Sequence, residues 1–208
     1  MTLPTTSLHV AILVFDEVEA LDLAGPYEVF TTASRVAMRD TPANATPFNV
    51  SCVARSPAPV RARAGLTVVP DHDFFNAPAV DVLIVPGGVV QAAMEDHDTI
   101  HWIARTHRST RVTASVCTGA FLLATSGVLN EGAATTHWED QADLARQFPS
   151  LAVRSGVRWI EQQKGKLWTS GGISAGIDMS LALVARLTGE PLAMRTAKQM
   201  EFQWNRQP

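Results

Sequence analysis

Apolar and polar positions along the chain form blocks that predict strands and helices in alternation. Residues 8–15 are a continuous apolar and β-branched run, which is typical of a strand buried on both faces. Over residues 25–39 the apolar positions Val29, Phe30, Ala33 and Val36 recur at helical spacing, with Pro26 suited to a first turn. The chain therefore opens with a strand followed by a helix.

The same alternation continues to the end of the chain. Further strands are predicted over residues 48–55, 81–88, 111–116, 132–136, 157–163 and 166–172, with a strand pair or extended arm around Gly65. Further helices are predicted over residues 98–108, 117–127, 138–148, 173–189 and 191–202. Strands alternating with helices indicate one α/β domain over residues 1–208, with a mostly parallel sheet and helices on both faces.

Composition and charge narrow the class of protein. Of 208 residues, 46% are hydrophobic and 18% charged, a balance typical of a compact chain and not of a disordered one. The formal charge of −3 and the absence of a basic block argue against a nucleic-acid surface. The N-terminus has no basic region before its short apolar run, and no apolar run is long enough to span a membrane. We therefore expect a cytoplasmic enzyme or sensor.

Cys117 is the strongest candidate for chemistry. It lies where the predicted strand 111–116 meets a predicted helix, and the next residues, Thr118, Gly119 and Ala120, are small enough for a tight turn. Ligands of open α/β sheets bind at the carboxyl ends of strands, and a helix N-terminus favours a thiolate. The alternative is a buried core cysteine. The other cysteine, Cys52, lies inside a strand and is predicted to pack in the core. Two cysteines cannot build a disulfide framework or a structural zinc site.

Two further segments place polar groups beside Cys117. Gly87 and Gly88 end the strand 81–88 and are candidates to direct backbone N–H groups at an anionic intermediate, although a plain turn explains them too. Asp22 follows the first strand among apolar neighbours. It is either an N-cap for a helix beginning at Gly25–Pro26 or a general acid with a perturbed pKa.

The histidines give weaker signals. His137 follows the short strand 132–136 and is either a capping or core residue, or a polar group at the same edge of the sheet. His97 and His101 are spaced to share one helix face, but no third ligand is evident, so a solvated helix face is the favoured interpretation and no metal is expected.

Taken together, five segments resemble the ThiJ/PfpI superfamily, which has a glutamine-amidotransferase-like, flavodoxin-type fold. They are ALDLAGP, VPGG, SVCTGA, ATTHW and SGGISAGIDMSLALV, in this order, and the resemblance covers roughly residues 8 to 202. Within it the chain is most similar to isonitrile hydratases and to the ligand-sensing domain of AraC-type regulators. The resemblance implies Cys117 as nucleophile at an elbow, Asp22 as its acidic partner, Thr118 beside it, and a homodimer.

Departures from other branches direct the functional prediction. Superfamily proteases have a histidine directly after the cysteine, where this chain has Thr118, and residues 165–208 hold no histidine for an amidotransferase triad. The resemblance also implies Gly172 and Ile173 in the pocket wall, although this segment could be simply core. We expect cofactor-independent hydration of an isonitrile to an N-substituted formamide, with a sensor acting through its ligand or through cysteine oxidation as the alternative.

Overall fold

The computed structural model describes residues 7–40 and 46–208. The strands are β1 (Leu8–Leu13), β2 (Phe48–Ala54), β3 (Val60–Arg61), β4 (Thr67–Val68), β5 (His72–Asp73), β6 (Val82–Val85), β7 (Val112–Val116), β8 (Gly132–Ala134), β9 (Leu151–Val153), β10 (Trp159–Gln162) and β11 (Leu167–Ser170). The helices are α1 (Ala20–Asp40), α2 (Gln91–Glu95), α3 (His97–Ser109), α4 (Gly119–Thr125), α5 (Gln141–Gln147), α6 (Ala175–Thr188) and α7 (Glu190–Gln199).

A seven-stranded sheet in the order β10-β11-β7-β6-β1-β2-β5 forms the centre of the fold. Neighbouring strands are parallel except for β10, which runs antiparallel to β11. The central strands β1, β6 and β7 are buried at every position, as their continuous apolar sequences predict. Helices α1, α6 and α7 pack against one another, with α1 on β1 and β2 and α6 on β7, β10 and β11. Helices α2, α3 and α4 form a second group, in which α4 packs on β6 and β7. The α/β, mostly parallel flavodoxin-like prediction is confirmed.

Helix α1 begins earlier than the sequence pattern predicted. It starts at Ala20, and Pro26 therefore lies inside the helix instead of in its first turn. The residues before Pro26 include Leu23, which is buried in the core and extends the apolar face of the helix towards its N-terminus. This shift places Asp22 within the first turn, so it is not a residue preceding the helix.

The end of the chain packs back onto α6. Asp178, in the first turn of α6, is 1% exposed and accepts a hydrogen bond of 2.5 Å from Arg158 Nε. Its second carboxylate oxygen accepts from the Asn205 N–H at 2.8 Å, and its carbonyl accepts from Trp204 Nε1 at 3.1 Å. This buried carboxylate is therefore paired with a cation. Among the described residues, no helix is long and apolar enough to cross a membrane.

Candidate active site

Cys117 lies at a sharp turn between β7 and α4. Its φ of 55° is in the left-handed region, which is uncommon for a residue with a side chain. Its N–H donates to the Gly171 carbonyl at 3.2 Å, and its carbonyl accepts from Thr136 Oγ1 at 2.8 Å. These bonds from two neighbouring segments hold the strained turn, which is a frequent arrangement at functional sites. The thiol is at the carboxyl end of a central parallel strand, as the sequence predicted.

Asp22 lies next to Cys117 and is completely buried. Its Oδ2 accepts a hydrogen bond of 3.0 Å from the Gly87 N–H, across the gap between α1 and the end of β6. Its Oδ1 has no aligned hydrogen-bond partner among the described residues, although the Cys117 thiol and the Ile173 N–H are close enough to lower its pKa. Asp22 is therefore turned into the protein and does not serve as the N-cap that the sequence left open.

Burial sets the pKa of both groups. Loss of solvent raises the pKa of Asp22 from 3.8 to about 7, and the nearby negative charge of Glu19 adds to this rise. The hydrogen bond from Gly87 opposes it. Burial, and then the charge of Asp22, raises the pKa of the Cys117 thiol from 9.0 to about 12. The N–H groups of Thr118 and Ile173 only partly offset that effect.

The expectation that the helix N-terminus favours a thiolate at Cys117 is therefore wrong. Cys117 is only 7% exposed, and α4 has seven residues, so its dipole is small against the loss of solvent. The resting pair holds the proton on sulfur, with Asp22 as the only carboxylate of the described chain that forms a thiol contact there. Any reaction at this sulfur would have to remove its proton, and Asp22 is the neighbouring carboxyl with a pKa of about 7.

Thr118 connects the cysteine turn to the glycine turn after β6. Its hydroxyl accepts from the Gly88 N–H at 2.8 Å and donates to the Gly88 carbonyl at 2.9 Å. Gly88 has φ of 137°, and a Cβ there would overlap the Glu17 carbonyl, so only glycine fits. The N–H groups of Gly87 and Gly88 are thus already bonded to Asp22 and Thr118. They hold the site together and do not offer free donors to an anion.

The third part of the site comes from the segment after β11. Ile173 has φ of 49°, a strained value for a β-branched residue, and its N–H faces Cys117 and Asp22. The neighbouring Gly172 packs flat against the His137 ring, where a Cβ would overlap Cδ2. His137 Nδ1 accepts from the Glu139 N–H at 3.4 Å and lies 3.4 Å from Asp140 Oδ2. His137 is thus both a capping residue and a residue at the edge of the site.

These elements surround a cavity of about 400 Å³. Cys117 and Thr118 belong to its lining, together with Gly88, Phe121, His137 and Ile173. Four carboxylates also line it, namely Glu19, Glu139, Asp140 and Asp143. Asp22, Gly87 and Gly172 lie behind this lining and support it. The volume suits a small organic molecule.

The carboxylates of this cavity did not stand out in the sequence pattern. Glu139, Asp140 and Asp143 were assigned only to a predicted helix, and Glu19 was not singled out. The cluster of acids directly after ATTHW was the available signal, since one of the two interpretations of His137 put that segment at the same edge of the sheet.

The other candidates lie elsewhere. His97 and His101 are exposed on α3, and the described part of the chain holds no group of three potential metal ligands. Cys52 is buried in β2, where burial raises the pKa of its thiol to about 11. The exposure of the two histidines agrees with a solvated helix face, and the burial of Cys52 agrees with packing in the core.

Comparison with known proteins assigns the chain to a family. The sequence profile of the DJ-1/PfpI family matches residues 8–186. The chain belongs to the DJ-1/PfpI family. It is 34% identical to an isonitrile hydratase of Pseudomonas putida over 197 residues, covering 94% of this chain and 79% of that protein. A ThiJ/PfpI family protein from Pseudomonas syringae has a similar solved structure, with a TM-score of 0.82, 27% identity and coverage of 97% of this chain and 77% of that one.

DJ-1/PfpI relatives also include regulators. The chain is 29% identical to the HTH-type transcriptional regulator GbdR of Pseudomonas aeruginosa over 184 residues, which is 88% of this chain. It spans only 48% of that regulator's length. The family therefore contains both enzymes and regulators, and the site itself must distinguish between these roles.

Proposed function

We propose that this DJ-1/PfpI chain hydrates an isonitrile to an N-substituted formamide, with Cys117 as nucleophile and Asp22 as the proton carrier. The observation that carries the proposal is the fully buried Asp22 carboxyl beside the Cys117 thiol, with its pKa raised to about 7. A group that titrates near neutral pH accepts and returns a proton with equal ease. The similarity to the P. putida isonitrile hydratase supports this choice of reaction.

The first step joins sulfur to the terminal carbon of the isonitrile. As Cys117 Sγ forms the C–S bond, its proton passes to Asp22, and Asp22 delivers a proton to the same carbon. The product is a thioimidate, R–N=CH–S–Cys117, and Asp22 is again a carboxylate. The high pKa of the thiol makes this coupled transfer necessary, since little free thiolate is present at neutral pH.

The second step adds water to the thioimidate carbon. Asp22 removes one proton from the attacking water and passes it to the imine nitrogen, which gives R–NH–CH(OH)–S–Cys117 and leaves Asp22 as a carboxylate. Collapse to the formamide R–NH–CHO breaks the C–S bond, and the hydroxyl proton returns through Asp22 to sulfur. One water molecule is consumed, nothing is oxidised or reduced, and no cofactor takes part.

The backbone around the sulfur has a defined part in this cycle. The N–H groups of Thr118 and Ile173 face Cys117 Sγ and lower the pKa of the thiol against the effect of burial. They therefore favour negative charge on sulfur during attack and again when sulfur leaves. The double hydrogen bond between Thr118 and Gly88 fixes the position of this turn.

The test is turnover of cyclohexyl isonitrile, followed as N-cyclohexylformamide by mass spectrometry. In D₂O the formyl position should carry deuterium, because the carbon takes its proton from the solvent-exchanged Asp22 carboxyl. Cys117→Ala should abolish turnover, and Asp22→Asn should lower it by about 100- to 10,000-fold. Cys52→Ala is the matched control and should turn over at the wild-type rate. Formamide production that survives Cys117→Ala would overturn the proposal.

A ligand-sensing domain is the second candidate function, and the regulator relatives favour it. The same cavity would then bind its ligand without turnover. A sensor based on cysteine oxidation is less well supported, because oxidants react with thiolates and the pKa of Cys117 is raised. Binding of an isonitrile without release of formamide would favour the sensor.

A further inference from the structure

One wall of the cavity is strongly acidic. Its charged lining comprises four carboxylates and the single guanidinium of Arg63, whereas the chain as a whole is nearly balanced, with 20 acidic and 17 basic residues. Arg63 lies 3.5 Å from Glu19 and is therefore already engaged. The excess negative charge lies with Glu139, Asp140 and Asp143, which we call the acidic wall.

The acidic wall is not neutralised from within. Asp143 pairs with Arg146 at 2.7 Å. Among the described residues, the basic nitrogen near the Glu139 and Asp140 carboxylates is His137 Nδ1, at 3.6 Å and 3.4 Å, and this nitrogen already accepts the Glu139 N–H. Neither carboxylate pairs with a lysine or arginine in the described part of the chain. A bound group with its own positive charge would complete this arrangement.

Helix capping does not account for Asp140. It occupies the N-cap position of α5, where aspartate commonly accepts a backbone N–H, yet its side chain makes no capping hydrogen bond. Its Oδ2 is instead directed towards His137, in the lining of the cavity. Its charge also acts on the reactive sulfur, because Asp140 is one of the groups that raise the pKa of Cys117.

A second observation concerns the residues beneath the cavity, where Cys117 and Ile173 form its floor. Asp22 is fully buried, and its Oδ1 has no aligned hydrogen-bond partner among the described residues. This oxygen faces Cys117 and Ile173, which line the cavity floor. A buried acceptor left unpaired is costly unless a ligand or its reacting proton completes it. The floor and the wall therefore both belong to one ligand site.

We propose that the molecule bound in this cavity carries an ammonium-type positive charge, which Glu139 and Asp140 hold while its other end reaches Cys117. This inference rests on the proposed function in one respect: if the chain hydrates isonitriles, its substrate is a cationic isonitrile. Glu139 and Asp140 determine specificity and take no part in proton transfer. Neutral isonitriles of the same shape are poorer substrates.

The electrostatic part is tested without any turnover. In a Cys52→Ala background, Cys117 is modified with two thiosulfonate reagents that carry either a trimethylammonium or a sulfonate group, with 2-mercaptoethanol as reference thiol. The ratio of the labelling rate with the cationic reagent to that with the anionic reagent should be at least about tenfold higher at Cys117 than at the reference thiol. Asp140→Asn and Glu139→Gln should each reduce this ratio about threefold. Salt should weaken it, because both carboxylates are partly solvated. Glu131→Gln, which removes an exposed carboxylate outside the cavity, should leave it unchanged.

The substrate part is tested with two isosteric isonitriles, 2-(trimethylammonio)ethyl isonitrile and 3,3-dimethylbutyl isonitrile. The cationic compound should have the higher kcat/KM, mainly through a lower KM. Asp140→Asn should reduce the ratio of the two kcat/KM values, whereas Glu131→Gln should leave this ratio unchanged. Charge-selective labelling without hydration of either compound would overturn the proposed function and support a cation-binding cavity. Equal labelling by both reagents, relative to the reference thiol, would overturn the inference itself.

Discussion

Replacing Asp22 by asparagine should make the protein more stable at neutral and alkaline pH. The folded state raises the pKa of this carboxyl from 3.8 to about 7, because it is completely buried and lies near Glu19. Above pH 7 the protein must therefore hold a buried charge that the unfolded chain solvates freely. Asparagine keeps the shape and can still accept the Gly87 N–H, but it carries no charge.

The size of this effect follows from the pKa. A rise of about three pH units corresponds to about 4 kcal/mol of destabilisation when the carboxyl is ionised. Between pH 3.8 and about 7 the folded state binds the proton and the unfolded state does not, so the destabilisation grows with pH in this window and is constant above it. We expect Asp22→Asn to gain about 2 to 4 kcal/mol at pH 8, or about 4 °C or more in Tm, and almost nothing at pH 4.

Urea unfolding of both proteins at several pH values measures this difference directly. Asp178→Asn is the comparison variant, since Asp178 is equally buried in the first turn of a helix and burial raises its pKa as well, but it is paired with Arg158 at 2.5 Å. Removing that carboxylate leaves a guanidinium unpaired and should destabilise by about 1 to 3 kcal/mol. An Asp22→Asn protein that is no more stable than the wild type at pH 8 would refute the reasoning. The helix-cap interpretation predicts such an outcome, because asparagine caps about as well as aspartate.

Four further predictions follow from the site and its surroundings. Because ionised Asp22 must accept the Cys117 proton, kcat/KM should rise with pH to a plateau above about 7. This rise should be absent in Asp22→Asn, and a flat wild-type profile would contradict the proton-carrier role. Gly172→Ala should displace the His137 ring and cost about 1 to 3 kcal/mol in urea unfolding, whereas Gly171→Ala, whose Cβ meets nothing closer than 3.6 Å, should be almost silent. Cys52→Ala should lower Tm only modestly and leave the kinetics unchanged, since Cys52 lies in β2 away from the cavity. We also expect a homodimer, and light scattering that gives a mass near the 22.4 kDa of one chain at micromolar concentration would contradict it.

The strands and the location of the site were predictable because both depend on local sequence. Runs such as Val82–Val85 bury every residue, and their apolar character alone indicates a central parallel strand. Parallel strands share one carboxyl edge, so Asp22, Gly87 and Cys117 could be expected to meet there. The two-residue strand β5 could not be predicted, because two residues show no periodicity.

The electrostatics of the site depended on contacts that no local pattern reveals. The high pKa of Cys117 arises from its burial and from Asp22, which lies on a different element. The Gly87 and Gly88 N–H groups were expected to be free, but Asp22 and Thr118 occupy them from across the site. The pKa of Cys117 and the bonding of the two glycine N–H groups depend on which residues face each other after folding, whereas the sequence shows only which residues end each strand.

The position of β6 between β1 and β7 links the site to the folding reaction. Asp22 follows β1 and Cys117 follows β7, so the two side chains meet only after both strands have paired with β6. A partly folded chain without β6 in place would leave both groups solvated, with the carboxyl titrating at its ordinary value. At a pH between 3.8 and about 7, we therefore expect completion of the sheet to be accompanied by uptake of up to one proton at Asp22. Stopped-flow refolding in a weakly buffered indicator dye would show this uptake in the same kinetic phase that protects Cys117 from thiol reagents.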